Sequence, residues 1–102
     1  MFFQKKKPEE TELKQLRSFH GKRLSYVSER TPDGELVLGK TGGISITDTD
    51  IVLVCDGHEV FRCAIRGAVA AELMSGNGMD IKGLDAAGAK RHVVAYYSRY
   101  RG

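Results

Sequence analysis

Cysteine and histidine are the residues here best suited to chemistry, and Cys55, His58 and Cys63 fall close together in the chain. Zinc sites draw on such side chains, usually four ligands arranged as two short-spaced pairs. One such pair is visible, so His20 or His92 would have to complete the set from far away. Buried structural cysteines beside a polar turn are the simpler reading. Neither plausible hairpin register sets the two cysteines opposite each other, which argues against a disulfide. Asp48-Thr49-Asp50 spaces two carboxylates as a calcium loop does, but the central glycine and the distant glutamate are missing. A turn that hydrogen-bonds its own backbone accounts for both aspartates. Catalysis by a nucleophile needs a base tied to it, and His20, His58 and His92 lie in three separate elements. No catalytic set, metal or cofactor is therefore expected.

Gly34-Glu35-Leu36-Val37-Leu38-Gly39-Lys40-Thr41 matches the P-loop pattern letter for letter. That pattern works where a loop leaves a strand, wraps phosphates and opens a helix. Here the middle residues read as a strand and Gly42-Gly43-Ile44-Ser45-Ile46 follows, so glycines at a strand bend are the better account.

The remaining candidates are basic. Net charge is +3, and it is unevenly spread. Residues 1–23 hold seven bases and three acids, residues 82–102 hold five bases and one acid, and the stretch between holds four bases and nine acids. Basic ends around an acidic waist would guide an anionic partner to the ends. Phe2-Phe3 followed by Lys5, Lys6 and Lys7 has the composition of a segment that rests on an anionic membrane surface, although a flexible, solvated terminus is the simpler reading. Tyr96, Tyr97, Arg99, Tyr100 and Arg101 mix rings and cations as single-stranded nucleic-acid surfaces do. The competing reading is a last strand with Tyr96 or Tyr97 in the core. The candidate partner- or anion-binding residues are thus Lys5, Lys6, Lys7, Lys90, Arg91, Tyr97, Arg99, Tyr100 and Arg101.

These residues must be positioned by a small fold. A chain of 102 residues, 41% hydrophobic and 28% charged, suits one globular domain with a real core. We expect a flexible basic segment over residues 1–7 and a single domain over 8–102. No apolar run near the N-terminus has the length of a signal-peptide core, and none reaches the ~20 residues of a membrane-spanning helix. A cytoplasmic protein with reduced thiols is expected.

The spacing predicts an amphipathic helix over residues 8–20. Pro8 suits its first turn, Glu9, Glu10 and Glu12 complement its positive end, and Gly21 is a ready C-cap. Leu13, Leu16 and Phe19 recur every third residue as a narrow apolar stripe. Beyond Gly21 the period becomes two, with turn signals at short intervals. Strands are predicted at 23–30, 35–41, 43–47, 51–55, 58–65, 79–84 and 89–98. Residues 68–75 read as a strand or a short helix; the strand is preferred because 75–78 then makes a hairpin with 79–84. Between residues 51 and 65, a three-residue loop containing Gly57 is predicted. It places Ile51, Leu53, Phe61, Cys63 and Ile65 on one apolar face, and a one-residue slip would scatter them. The fold class is mainly β: an antiparallel meander of about seven short strands, forming a barrel or roll behind one N-terminal helix.

From about Lys22 to Tyr100 this pattern resembles the pleckstrin-homology and GRAM-like superfamily. The resemblance rests on the strand–turn–strand run from Gly43 through Thr47-Asp48 to Val54, and on Asn77-Gly78-Met79-Asp80-Ile81 and Arg91-His92-Val93-Val94-Ala95-Tyr96 as last strands. It implies a PH-like barrel. Members usually close one barrel end with a helix after the last strand; here the stripe of Leu13, Leu16 and Phe19 is expected to take that place. The family's phosphoinositide-binding basic motif is not recognisable, so lipid binding does not carry over. The function expected is a non-catalytic binding or scaffolding module that recognises a protein partner by a strand edge or a loop face. A nucleic-acid-binding small barrel and a peripheral membrane module are the alternatives, and the oligomeric state is left open.

Overall fold

The alternation that begins after Gly21 produces strands wherever β-branched and aromatic residues lie between turn formers. The computed structural model describes residues 13–98. Its strands are β1 (Arg23–Thr31), β2 (Gly34–Ile46), β3 (Asp50–Cys55), β4 (His58–Ala64), β5 (Val69–Glu72), β6 (Gly78–Leu84) and β7 (Lys90–Tyr97). Among the described residues they form one antiparallel sheet, ordered β4-β3-β2-β1-β7-β6-β5. The mainly β, antiparallel architecture is the one the turn spacing predicts. The sheet is two meanders, β1 to β4 and β5 to β7, joined where β1 meets β7. It stays open, with β4 and β5 as its two edges. It nevertheless curls enough that a Cβ added at Gly83 of β6 would lie 2.9 Å from Cys63 Sγ of β4.

Residues 69–72 adopt the strand and pair with β6 as preferred. Two other readings change. The strands expected at 35–41 and 43–47 are one long strand, β2. Gly42 does not break it: an added side chain there would overlap the Val54 carbonyl, so only glycine fits against β3 at this position. Thr41, with φ of +49°, supplies the bend instead. Between β3 and β4 the loop has two residues, not three. Asp56 and Gly57 both have positive φ, as a tight hairpin turn requires. The expected face survives because the pairing shifts between Leu53 and Val54: Leu53 faces Phe61 while Val54 faces Glu59. The unpaired Val60 is the odd residue that the loop was expected to hold. The Asp48 turn is also held differently. Thr47 Oγ1 accepts from the backbone N–H groups of Thr49 and Asp50, which frees the carboxylates of Asp48 and Asp50 for Arg17 and Arg62.

The N-terminal element is an α-turn, α1 (Leu13–Leu16), continued by a 3-10 turn over Arg17–Phe19. Spacing of strictly three residues suits that ending, because a 3-10 helix has three residues per turn. Residues 8–12 of the expected helix lie outside the described residues. Leu16 and Phe19 are buried in the core with Leu13 packed against it, as the stripe predicts. Gly21, at φ of +89°, ends the element and donates its N–H to the Ile44 carbonyl. His20 Nδ1 accepts from the Ile46 N–H at 2.9 Å, pinning the helix end to β2. The inner face of the sheet supplies the rest of the core, including Val27, Ile51, Leu53, Phe61, Met79, Ile81, Val93 and Ala95.

Candidate functional site

The central joint between the meanders is incomplete, and this creates a cleft. The β1–β7 ladder ends at Glu29 opposite Val93. Beyond that point β1 keeps pairing with β2 to Thr31 opposite Gly34, and β7 keeps pairing with β6 to Lys90 opposite Leu84. The two hairpins therefore part. They leave a cleft of about 550 Å³ whose walls are residues 29–32 on one side and residues 82–84 and 90–92 on the other, with Gly67 and Val69 at its end. Arg30 and Thr31 of β1 pair only with β2, and residues 90–92 of β7 pair only with β6, so their backbone donors and acceptors face the gap.

Because the gap passes through the sheet, residues of both faces line it. Side chains alternate along a strand, so Glu29 and Arg91 share the core face with Val93, while Arg30, Lys82, Lys90 and His92 lie on the outer face. On the core side Arg91 is fully engaged. Its Nε and Nη2 donate to the two Glu29 carboxylate oxygens, the second at 2.8 Å, and its Nη1 donates to Asp85 at 3.0 Å. Its guanidinium also lies over the Phe61 ring, 5.3 Å from the centroid. Asp85 additionally accepts from the Ala87 and Ala89 N–H groups of its own turn. The Ala89 N–H first, and then Arg91, hold the Asp85 carboxyl below its ordinary pKa. The cluster is a polar plug over the end of the core.

The outer side differs. His92 Nε2 lies 2.7 Å from Asp80, and Arg30 makes a loose pair with Glu35 at 3.8 Å. Lys82 stands directly opposite His92, and Lys90 lies two residues before it on the same face. Neither lysine has an ion-pair partner among the described residues. Pro32, Val69 and the half-exposed Leu84 add apolar surface.

Of the residues singled out from sequence, Lys90 and Arg91 fall at this cleft, and Arg91 is occupied by its own carboxylates. Tyr97 is at the opposite end of β7. Its hydroxyl is buried without a hydrogen-bond partner, burial raises its pKa to about 12, and Lys22 Nζ sits 4.9 Å from its ring centroid. Tyr96 instead stacks on Tyr26 across the outer face, with centroids 4.4 Å apart. Lys5, Lys6, Lys7, Arg99, Tyr100 and Arg101 lie outside the described residues. Cys55 and Cys63 are free, buried thiols on the core face, whereas His58 is exposed at the start of β4. The P-loop-like run lies within β2. Arg30, Lys82 and Leu84 did not stand out in the sequence; only register brings them together, and the Pro32-Asp33-Gly34 turn was the one visible sign of the hairpin that carries Arg30. No protein-family model, curated protein or solved structure matches the chain.

Proposed function

We propose that this protein is a non-catalytic binding module that takes an extended peptide segment of a protein partner into the cleft between the β1–β2 and β6–β7 hairpins. The observation that carries this reading is the early end of the β1–β7 ladder beside a cleft of about 550 Å³. An inserted strand would pair with the free edge of either wall, which is how small β domains take up peptides. The true sheet edges are poorer sites: β4 is bulged at Val60, and β5 has only four residues. Work in the cytosol agrees with two free thiols, and the strand order with a helix packed against the core agrees with a PH-like barrel.

The test is selection from a displayed random-peptide library on the full chain, repeated on a variant in which a two-residue Asn-Gly turn replaces residues 30–35. Those residues are all exposed, so the variant should keep its fold by circular dichroism and lose one wall of the cleft. Selected peptides should bind the native chain and not the trimmed one. Peptides that bind both equally, or a selection that enriches nothing, would overturn the proposal.

A further inference from the structure

The cleft also carries a pattern that specifies its guest. We infer that it selects a segment with carboxylates at alternate positions, an inference that rests on the strand-insertion reading above. A strand lying in the gap presents every second side chain to the outer face. There it meets Lys90 and His92, which are themselves two residues apart on β7, with Lys82 beside them and Arg30 on the other wall. Acidic residues at guest positions i and i+2 repeat that spacing, about 6.6–6.8 Å along a strand.

The charge balance of the empty cleft favours the same guest. Lys82 and Lys90 gather on one face beside His92, Lys90 opposite Leu84 and Lys82 opposite His92, and neither lysine has a carboxylate partner among the described residues. Asp80 answers His92 alone, and Glu35 reaches Arg30 only loosely. Guest carboxylates would supply the counter-charge these lysines lack. The intervening guest residues face the core side, where Glu29, Arg91 and Asp85 already satisfy one another. A charge there would find no free counterpart, so uncharged residues belong at those positions. The inner and outer faces of one gap therefore ask for different chemistry, and only alternation provides it.

Fluorescence anisotropy on the full chain would use three labelled peptides: one alternating Asp with Val or Thr, one of identical composition with the aspartates in a block, and one with Asn for each Asp. The alternating peptide should bind about tenfold more tightly than the blocked isomer, a preference of roughly 1.4 kcal/mol. Lys82→Glu with Lys90→Glu should erase that preference. Equal binding of the alternating and blocked isomers, or of the Asp and Asn peptides, would reject the charge pattern while leaving strand insertion in place. If library-selected peptides fail as well, both readings fall. A single-stranded RNA oligomer that displaces the alternating peptide at lower concentration would overturn the inference in favour of a nucleic-acid ligand.

Discussion

Replacing Arg91 by methionine tests the plug that separates the cleft from the core. The substitution keeps most of the apolar stem and removes the guanidinium, leaving Glu29 without its partner. Exposed ion pairs contribute about 0–1 kcal/mol, and breaking a buried one costs about 3–5 kcal/mol. With the side chains of Arg91 and Glu29 only 26% and 15% exposed, this pair lies between those limits. Losing three charge-assisted bonds, two to Glu29 and one to Asp85, and leaving the Glu29 carboxylate largely buried should therefore cost about 2–3 kcal/mol. For a domain of this size that corresponds to a fall of roughly 10–20 °C in Tm. Urea unfolding followed by circular dichroism gives the free energy, and a cycle with Glu29→Leu isolates the coupling. The double variant should be more stable than Arg91→Met alone, because Glu29 no longer stands unpaired and Asp85 keeps the Ala87 and Ala89 N–H bonds of its turn. A loss below about 0.5 kcal/mol for Arg91→Met, or a double variant whose loss equals the sum of the singles, would refute the argument that the plug is a coupled, partly buried unit.

Three further outcomes follow from burial. Ser28→Ala should raise stability by about 1 kcal/mol in the same urea assay, because the Ser28 hydroxyl is fully buried and has no hydrogen-bond partner. Leu16→Ala should cost about 2–5 kcal/mol, since Leu16 is wholly enclosed by the core it caps; a loss under 1 kcal/mol would show that the helix merely rests on the sheet. Burial raises the Cys63 thiol to about 11, so a thiol reagent should leave it unmodified in the native chain at pH 8 and label it in urea. The sign follows from the raised value: the folded state holds this proton more tightly than the unfolded chain does. The associated stability is complete below the ordinary thiol value of 9.0 and declines as the pH climbs from there toward 11.

Most of the fold was legible because its signals are local. Alternation and turn residues located the strands, and Leu13, Leu16 and Phe19 found the helix face that reaches the core. Errors arose where two chain segments meet. Gly42-Gly43 looks like a break when read along the chain, and only the nearby β3 backbone shows why glycine is needed at 42. The β3–β4 hairpin kept its expected face by moving the odd residue from the loop to Val60, an exchange that one-dimensional spacing cannot distinguish. Much the same is true of the cleft. Arg91 reads as a free cation until the pairing of β1 with β7 delivers Glu29 to it from 62 residues away. Lys82 and Arg30 are ordinary surface charges until register gathers them beside His92.

The joint between β1 and β7 also governs how the chain comes together. Every pair in that ladder lies between 64 and 73 residues apart, whereas each meander is built from neighbouring hairpins. Hairpins close cheaply; a long loop carries a larger entropic cost and is rewarded only once both halves exist. The last event in folding is therefore the docking of two preformed halves along one ladder, and its open end is the stretch that zips last or not at all. The partly unzipped seam of the native protein is then the final step of assembly left unfinished.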